Sequence, residues 1–296
     1  METSRTALAI AAALGAACTE ASSPVSSTVA SPVAPPEHLH DTGIDADGVL
    51  PFAPQYPLWT DGATKRRWIW LPPGTSIDAS DPDAWVFPAG TKLWKEFAFG
   101  ARVVETRLAE RLTDGTWRYA AYVWTADGSD AVVAPHGASI ELPELGAGRR
   151  HDVPSAGDCL LCHDTSPDRT PILGFSAVQL GAARIAARTP TEAAALGYLH
   201  ANCGHCHDAT GELAELGLDL RADAVHTTVG RASRAPLPAD VTAARLRVIP
   251  GDPSHSVLLG RMASRAPQHQ MPPLGTRVVD DEAVALVGRW ITELEP

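Results

Sequence analysis

The sequence has few basic residues and no long apolar run. Its 24 Lys and Arg stand against 35 Asp and Glu, which gives a formal net charge of −11. Nucleic acids select basic surfaces, so this balance excludes nucleic acid as an expected partner. No stretch of the chain reaches the roughly 18 apolar residues that a transmembrane helix needs. We therefore expect a soluble acidic protein whose transient partners present Lys or Arg.

Several motifs of independent catalysis are also missing. The chain has no glycine-rich dinucleotide fingerprint, no P-loop and no Ser, His and Asp arrangement of the hydrolase type. Its 296 residues are enough for about two domains, at roughly 100–200 residues for each.

The first residues predict export. Ala7–Ala17 is a run of apolar and small residues that is too short to span a bilayer but is typical of a signal peptide. Residues 1–18 are therefore predicted to be a signal peptide. Either Cys18 becomes a lipidated N-terminus, which would be the only membrane tether, or cleavage nearby removes it. Residues 19–44, rich in Ser, Thr, Ala and Pro, are predicted to be a disordered linker.

Residues 45–150 have the composition of a β-rich domain. Runs of aromatic and β-branched residues alternate with Asp114-Gly115 and Asp127-Gly128, which are strong hairpin signals. They predict a β-sandwich or open barrel of about six to eight short strands. Tryptophans are concentrated here and are expected to fill the core, although a stacking surface for a sugar or a partner is the alternative. They are Trp59, Trp68, Trp70, Trp85, Trp94, Trp117 and Trp124.

From about Pro190 onward the pattern becomes helical. Thr191–Leu199 combines a Thr that can cap a helix with strong helix formers. Asp280–Ile291 opens with acidic residues, and its apolar residues recur at helical spacing.

Cysteine is scarce, and its placement carries the chemistry. Four of the five cysteines form the motifs Cys159-Leu160-Leu161-Cys162-His163 and Cys203-Gly204-His205-Cys206-His207. Cys-x-x-Cys-His is the signature of c-type haem attachment, because the two thiols reach the two vinyl groups of one haem and the His reaches the iron. The sequence therefore predicts two covalently attached haem c groups, with His163 and His207 as iron ligands.

Other uses of paired cysteines explain the motifs less well. Cys162 and Cys203 are about forty residues apart, whereas the pairs of a zinc ribbon are separated by roughly 15–20. A thioredoxin-like redox pair would need a surrounding βαβ pattern, which is missing. Disulfides within each motif would leave both histidines unexplained.

Methionine is scarcer still, and this constrains the sixth iron ligands. Met271, in the Pro-braced stretch Met271–Gly275, is predicted to ligate the second haem, because His/Met ligation favours electron transfer. Met262 is predicted to be a core residue. No Met lies between Met1 and Met262, so the first haem has only histidine candidates or a five-coordinate iron. These candidates are His136, His151 and His200.

These motifs together resemble known cytochromes. Residues 189–296 resemble a class I cytochrome c, which implies that Gly197 or Tyr198 crosses the last helix near Trp290. From about residue 50 to the end, the chain resembles a family of exported bacterial dihaem c-type cytochromes. The matching stretches are Tyr56–Gly62, Trp68–Thr75, Val104–Leu108, Asp158–His163, Leu199–Cys203, Pro250–Pro253 and Met271–Gly275.

The resemblance implies a multidomain α+β fold. An all-β sandwich or barrel would be followed by a first haem-binding segment (residues 151–188) and an all-α cytochrome c-like domain (residues 189–296). The predicted function is electron transfer with redox partner proteins, in the periplasm or on a membrane-anchored lipoprotein. The alternative is a haem enzyme that acts on peroxide or another small molecule at a five-coordinate first haem. A third hypothesis makes the β domain a docking module.

Overall fold

A six-stranded antiparallel sheet is the centre of this computed structural model, which describes residues 34–163, 171–211, 213–233 and 246–295. Its strands follow one another in the order β1-β2-β3-β4-β5-β6. A two-stranded antiparallel ladder, β7 and β8, follows it. The strands are β1 (Leu50–Pro51), β2 (Thr64–Trp70), β3 (Lys92–Phe99), β4 (Arg102–Arg111), β5 (Trp117–Trp124), β6 (Ala131–Val133), β7 (Ala138–Glu141) and β8 (Arg150–Val153).

The sheet has apolar residues on both faces because side chains alternate along each strand. On one face Trp94, Leu108 and Tyr122 are buried, and Trp68 and Trp70 pack against the same cluster. On the other face Ile69 and Leu93 pack with Phe87 and with Phe175, which lies far along the chain. Tryptophans of the β region thus fill a core, as the sequence predicted.

Four helices accompany the strands in the described part of the chain. They are α1 (Ala156–His163), α2 (Pro190–Asn202), α3 (Val257–Met262) and α4 (Asp281–Glu293). The Thr189 hydroxyl accepts a hydrogen bond from the Glu192 N–H at the start of α2, and Asp280 caps α4 through the Ala283 N–H. α2 and α4 share a buried cluster that includes Leu196, Leu199, Val287, Trp290 and Ile291.

The predicted fold class is wrong in its second half, since no all-α cytochrome c-like domain is evident among the described residues. The structure is mostly β with four short helices. Between α2 and α4 the described chain runs mainly through turns, 3₁₀ helices and the isolated bridges Val229↔Val248 and Ala232↔Leu246. The physical reason is local: apolar residues recur at helical spacing in two segments, whereas the stretch between them is rich in Pro and Gly.

The segment Tyr56–Gly62, here called the clamp loop, connects the β region to the later part of the chain. The Trp59 N–H donates to Asn202 Oδ1 at 2.6 Å, and its indole N–H donates to the Val278 carbonyl at 3.1 Å. The Asp61 carboxylate accepts hydrogen bonds from the backbone N–H groups of Arg277 and Val278, each at 2.9 Å. One loop thereby holds the end of α2 and the segment after Met271.

Gly197 of α2 lies close against the clamp loop. A Cβ atom at Gly197 would lie 2.0 Å from a ring carbon of Tyr56 in the clamp loop. The close approach that requires glycine is therefore to the clamp loop. The resemblance implied that Gly197 or Tyr198 crosses the last helix near Trp290, and Tyr198 packs against the buried cluster that includes Trp290. Tyr198 also reaches α4 through a side-chain hydrogen bond to its capping residue Asp280.

Several predictions concern the N-terminus. The signal peptide, the lipidation of Cys18 and the linker up to residue 33 lie outside the described residues. The described end of the linker contains a 3₁₀ helix, Leu39–Thr42, with Leu39 buried against the sheet. The described residues from Pro35 onward belong to one compact unit. Within the described chain, every helix is too short or too polar to cross a membrane.

Candidate functional site

A single large cavity brings together all seven residues that the sequence predicted to hold haem. Its volume is about 520 Å³. The predicted residues on its wall are Cys159, Cys162, His163, Cys203, Cys206, His207 and Met271. Most of the remaining wall is apolar and comes from both the sheet and the helical part of the chain. Residues 159 and 271 are distant in sequence, so their meeting here is a property of the fold.

The first motif lies on α1. Ser155 and Asp158 exchange hydrogen bonds at the start of this helix, at 2.9 Å and 3.1 Å, in the manner of a capping box. Helical spacing then places Cys159, Cys162 and His163 on the same side, because residues three and four apart are neighbours on a helix.

The imidazole of His163 is held in one orientation. Its Nδ1 lies 2.6 Å from the Pro171 carbonyl oxygen, and Tyr119 packs on the ring with centroids 4.8 Å apart. A carbonyl only accepts hydrogen bonds, so Nδ1 carries the proton and Nε2 of the neutral ring has a free lone pair. Burial lowers the pKa of His163 to about 4, which keeps the ring neutral at physiological pH. This is the tautomer that can bind a metal ion through Nε2.

The second motif forms a turn at the end of α2. The N–H groups of Cys206 and His207 donate to the Cys203 carbonyl at 3.1 Å and 2.8 Å. A Cβ atom at Gly204 would lie 2.8 Å from the His200 carbonyl oxygen, so the turn requires glycine there. His207 is buried, and this burial lowers its pKa to about 4. Its Nδ1 has no hydrogen-bond partner in the described part of the chain.

The two motifs touch each other through their second cysteines. Cys162 forms side-chain hydrogen bonds with Cys206 and with His205. The bond with Cys206, together with the bond to His205 and the nearby imidazoles, lowers the pKa of Cys162 to about 4, and the same contact and burial raise the pKa of Cys206. None of the four motif cysteines is in a disulfide. Among the described residues no group of three or more His, Cys, Asp or Glu side chains is arranged to hold a metal ion.

Met271 is placed on the cavity wall by several backbone contacts. Its N–H donates to the Arg261 carbonyl at 3.0 Å, and its carbonyl accepts a hydrogen bond from the Arg265 guanidinium at 3.5 Å. The clamp loop holds the same segment through Asp61. Met262 also borders the cavity, but it is buried within the cluster around Trp290, in agreement with its predicted core position.

The histidines proposed for the first haem lie elsewhere. His136 is exposed, and His151 is buried with its Nε2 2.7 Å from a Glu105 carboxylate oxygen. The His200 ring nitrogen Nδ1 accepts a bond from the Ala222 N–H at 3.4 Å. None of the three borders the cavity, whereas His205 does, with its buried Nδ1 unpartnered among the described residues. His205 was not among the predicted site residues, and its place inside the second motif is the one feature of the sequence that points to it.

Comparison with family models, with curated proteins and with solved structures gives no match for this chain. The site must therefore be interpreted from its own chemistry. Two pairs of thiols, the neutral imidazoles of His163 and His207, and the Met271 thioether meet at a mostly apolar cavity. This donor set fits covalently attached haem, for which each imidazole would bind iron.

Proposed function

We propose that this protein transfers electrons by means of two haem c groups, one attached at each Cys-x-x-Cys-His motif. The observation that carries the proposal is the convergence of both motifs and Met271 on one cavity, with Cys162 in contact with Cys206. Each pair of thiols would form two thioether bonds, and His163 and His207 would each bind iron through Nε2. Bound haem supplies one-electron exchange between ferric and ferrous iron.

The protein's own residues would make that exchange efficient. The Pro171 carbonyl holds the His163 ring in one orientation, which would limit movement of the ring when a group bound there gains or loses an electron. Apolar wall residues such as Ile172, Leu220 and Val257 exclude water, which reduces the solvent rearrangement that accompanies a change of charge. Contact between the motifs supports electron exchange between the two haems within one molecule.

The surface supports a redox partner of opposite charge. The net charge of −11 would attract a protein with exposed Lys or Arg and speed their encounter at low ionic strength. We propose an exported location, periplasmic or on a membrane-anchored lipoprotein, because covalent attachment keeps a cofactor from being lost outside the cytoplasm.

The deciding experiment combines three measurements on the purified chain. Haem content per chain, metal analysis and low-temperature EPR together give stoichiometry, spin state and ligand class. We expect two haems per chain that are reduced and reoxidised reversibly. A colourless chain that contains zinc would overturn the proposal.

A haem enzyme remains the second candidate because of where the histidines lie. His136, His151 and His200 are all absent from the cavity wall, so none of these three would serve as a second ligand to an iron held by His163, and His205 is the remaining histidine on the wall beside the two motifs. A five-coordinate iron there would bind carbon monoxide when reduced and would react with peroxide. A high-spin ferric EPR signal that peroxide removes with turnover would favour this candidate, whereas two low-spin irons that ignore both ligands would exclude it.

Replacement of Met271 by alanine is expected to lower the midpoint potential of one haem. Axial ligands shift haem potentials over a range of roughly 0.8 V, so the loss of one thioether should cost on the order of 0.1–0.3 V. Spectroelectrochemical titration measures the shift. Met262→Leu is the matched control, because it removes the other described thioether at nearly constant volume. A shift in the Met262→Leu variant alone would assign the ligand to Met262.

A further inference from the structure

Three basic residues form a row across the sheet on the cavity wall. Arg67 of β2 is the register partner of Lys95 of β3, and Lys95 is the partner of Arg107 of β4. Directly paired residues point to the same face of a sheet, with Cβ atoms about 4.5–5.5 Å apart. All three side chains border the cavity. Like charges placed directly opposite each other destabilise a sheet, so this arrangement calls for an anion.

The row has one carboxylate partner within the described chain. Glu105 is buried beside it and binds the Arg107 guanidinium at 2.5 Å and 3.0 Å. The same carboxylate also bonds His151. Arg67 and Lys95 form no ion pair with any described residue; the Lys95 ammonium lies 4.9 Å from the Phe97 ring centroid. When all three basic side chains are protonated, they and the one carboxylate leave an excess of two positive charges.

The other carboxylates on the cavity wall already have partners. Asp152 accepts from Arg277 at 2.5 Å, and Asp158 is bonded to Ser155. Asp280 caps α4. Lys65, two residues before Arg67 on β2 and on the same face of the sheet, adds another positive charge, on which Asp280 and Asp61 act. The protein therefore leaves the row undercompensated.

Burial makes the excess charge costly. Desolvation lowers the pKa of Arg67 to about 10, and the pKa of Lys95 lies well below its usual value because of burial and of the neighbouring Arg67 and Arg107. In stable proteins, buried charges are normally paired with a charge of opposite sign. An anion in the cavity would remove this cost.

We propose that Arg67, Lys95 and Arg107 form an anion-binding site that receives the two propionate carboxylates of a haem held in this cavity. The inference rests on the proposed function and deepens it. The charges match, because the row has an excess of two positive charges and haem, the cofactor that the motifs predict, carries two propionate carboxylates. Proximity supports it, because Arg107 acts electrostatically on Cys159 and Cys162, and Lys95 acts on His163. The β-sheet would then be part of the haem pocket.

The test uses the full-length, haem-loaded protein and the variant Lys95→Gln. Resonance Raman spectra should show a shift in the propionate bending mode of one haem, and its midpoint potential should fall and become pH-dependent. The reason is that a carboxylate without its cation takes up a proton on reduction more readily. Lys95→Arg, which keeps the charge, should restore both properties.

The matched control is Arg66→Gln, which also removes one positive charge. Arg66 is next to Arg67 on β2, and its side chain lies on the opposite face of the sheet. The Arg66 side chain is 66% exposed and pairs with Glu96 at 2.6 Å. We expect this variant to leave the propionate mode and the potentials unchanged. Lys95→Gln should remain folded because it relieves like-charge repulsion, and its thermal unfolding curve checks this.

Three other results would each contradict the proposed propionate site. Two haems whose propionate modes and potentials ignore Lys95 would overturn the site alone and leave the proposed function standing. Saturable perturbation of the wild-type spectrum by phosphate or nitrite, lost in Lys95→Gln while the propionate mode is unchanged, would assign the row to a free anion. A chain that contains no haem would overturn both proposals.

Discussion

Replacing Cys203 and Cys206 together with alanine is expected to halve the haem content per chain. Each pair of thiols would hold one haem through covalent bonds that survive unfolding, so the loss of one pair should remove one group and leave the other. The double replacement of Cys159 and Cys162 should have the same effect on the other haem. The pyridine haemochrome absorbance per mole of protein and the intact mass measure this directly.

Cys18→Ala is the matched control for both pairs. It removes the one cysteine outside the motifs, so the number of haems in the purified protein should not change. The two double variants also assign the spectra, because each should retain the EPR signal of the haem that remains. If both double variants kept the full absorbance, attachment at the motifs would be excluded. Loss of bound zinc in their place would indicate a metal site.

Local sequence signals were sufficient for much of the fold. Asp114-Gly115 lies between β4 and β5, and Asp127-Gly128 lies between β5 and β6, where the hairpin signals predicted turns. The helix predicted over Asp280–Ile291 is observed as Asp281–Glu293. These features depend on residues a few positions apart, and spacing reveals them.

The prediction of the fold class was wrong for the second half of the chain, because fold class depends on how helices and strands pack together. Helices α2 and α4 and their shared apolar cluster are present. However, helical spacing in two segments is not enough to predict that the whole domain is all-α. The clamp loop shows why: Asp61 contacts residues more than 200 positions later. Nothing near Asp61 in the sequence records those partners. Asp61 also has a positive φ of 51°, a conformation that is uncommon outside glycine although Asp adopts it more often than most residues.

The candidate site divides in the same way. The thiols, the imidazoles and Met271 were predictable because short motifs with fixed spacing specify them. The basic row was not, because Arg67, Lys95 and Arg107 lie on three strands and become neighbours only when the register is known. The position of His205 on the cavity wall was not predictable for a related reason, because it depends on the turn around Gly204.

Replacing Gly197 with alanine is expected to destabilise the protein by about 3 kcal/mol or more, at the upper end of the cost of overpacking. The added Cβ would lie 2.0 Å, 2.3 Å and 2.4 Å from three ring carbons of Tyr56. Either the Tyr56 ring or helix α2 must move, and the clamp loop would move with it. The midpoint of thermal or denaturant unfolding measures the change in stability.

Gly288→Ala supplies a matched control, because Gly288 also lies within a helix but its added Cβ would meet only Leu259 at 3.5 Å. This variant should be neutral or more stable by about 0.5–1 kcal/mol, since alanine favours helix over glycine. Adding Tyr56→Ala to Gly197→Ala should recover part of the loss, because the two residues share one volume. Contacting residues give non-additive effects, whereas independent sites add within about 0.5 kcal/mol. If the effects of the two replacements were strictly additive, Tyr56 would not be the obstacle at Gly197. The inferred close contact between the clamp loop and helix α2 at Gly197 would then be contradicted.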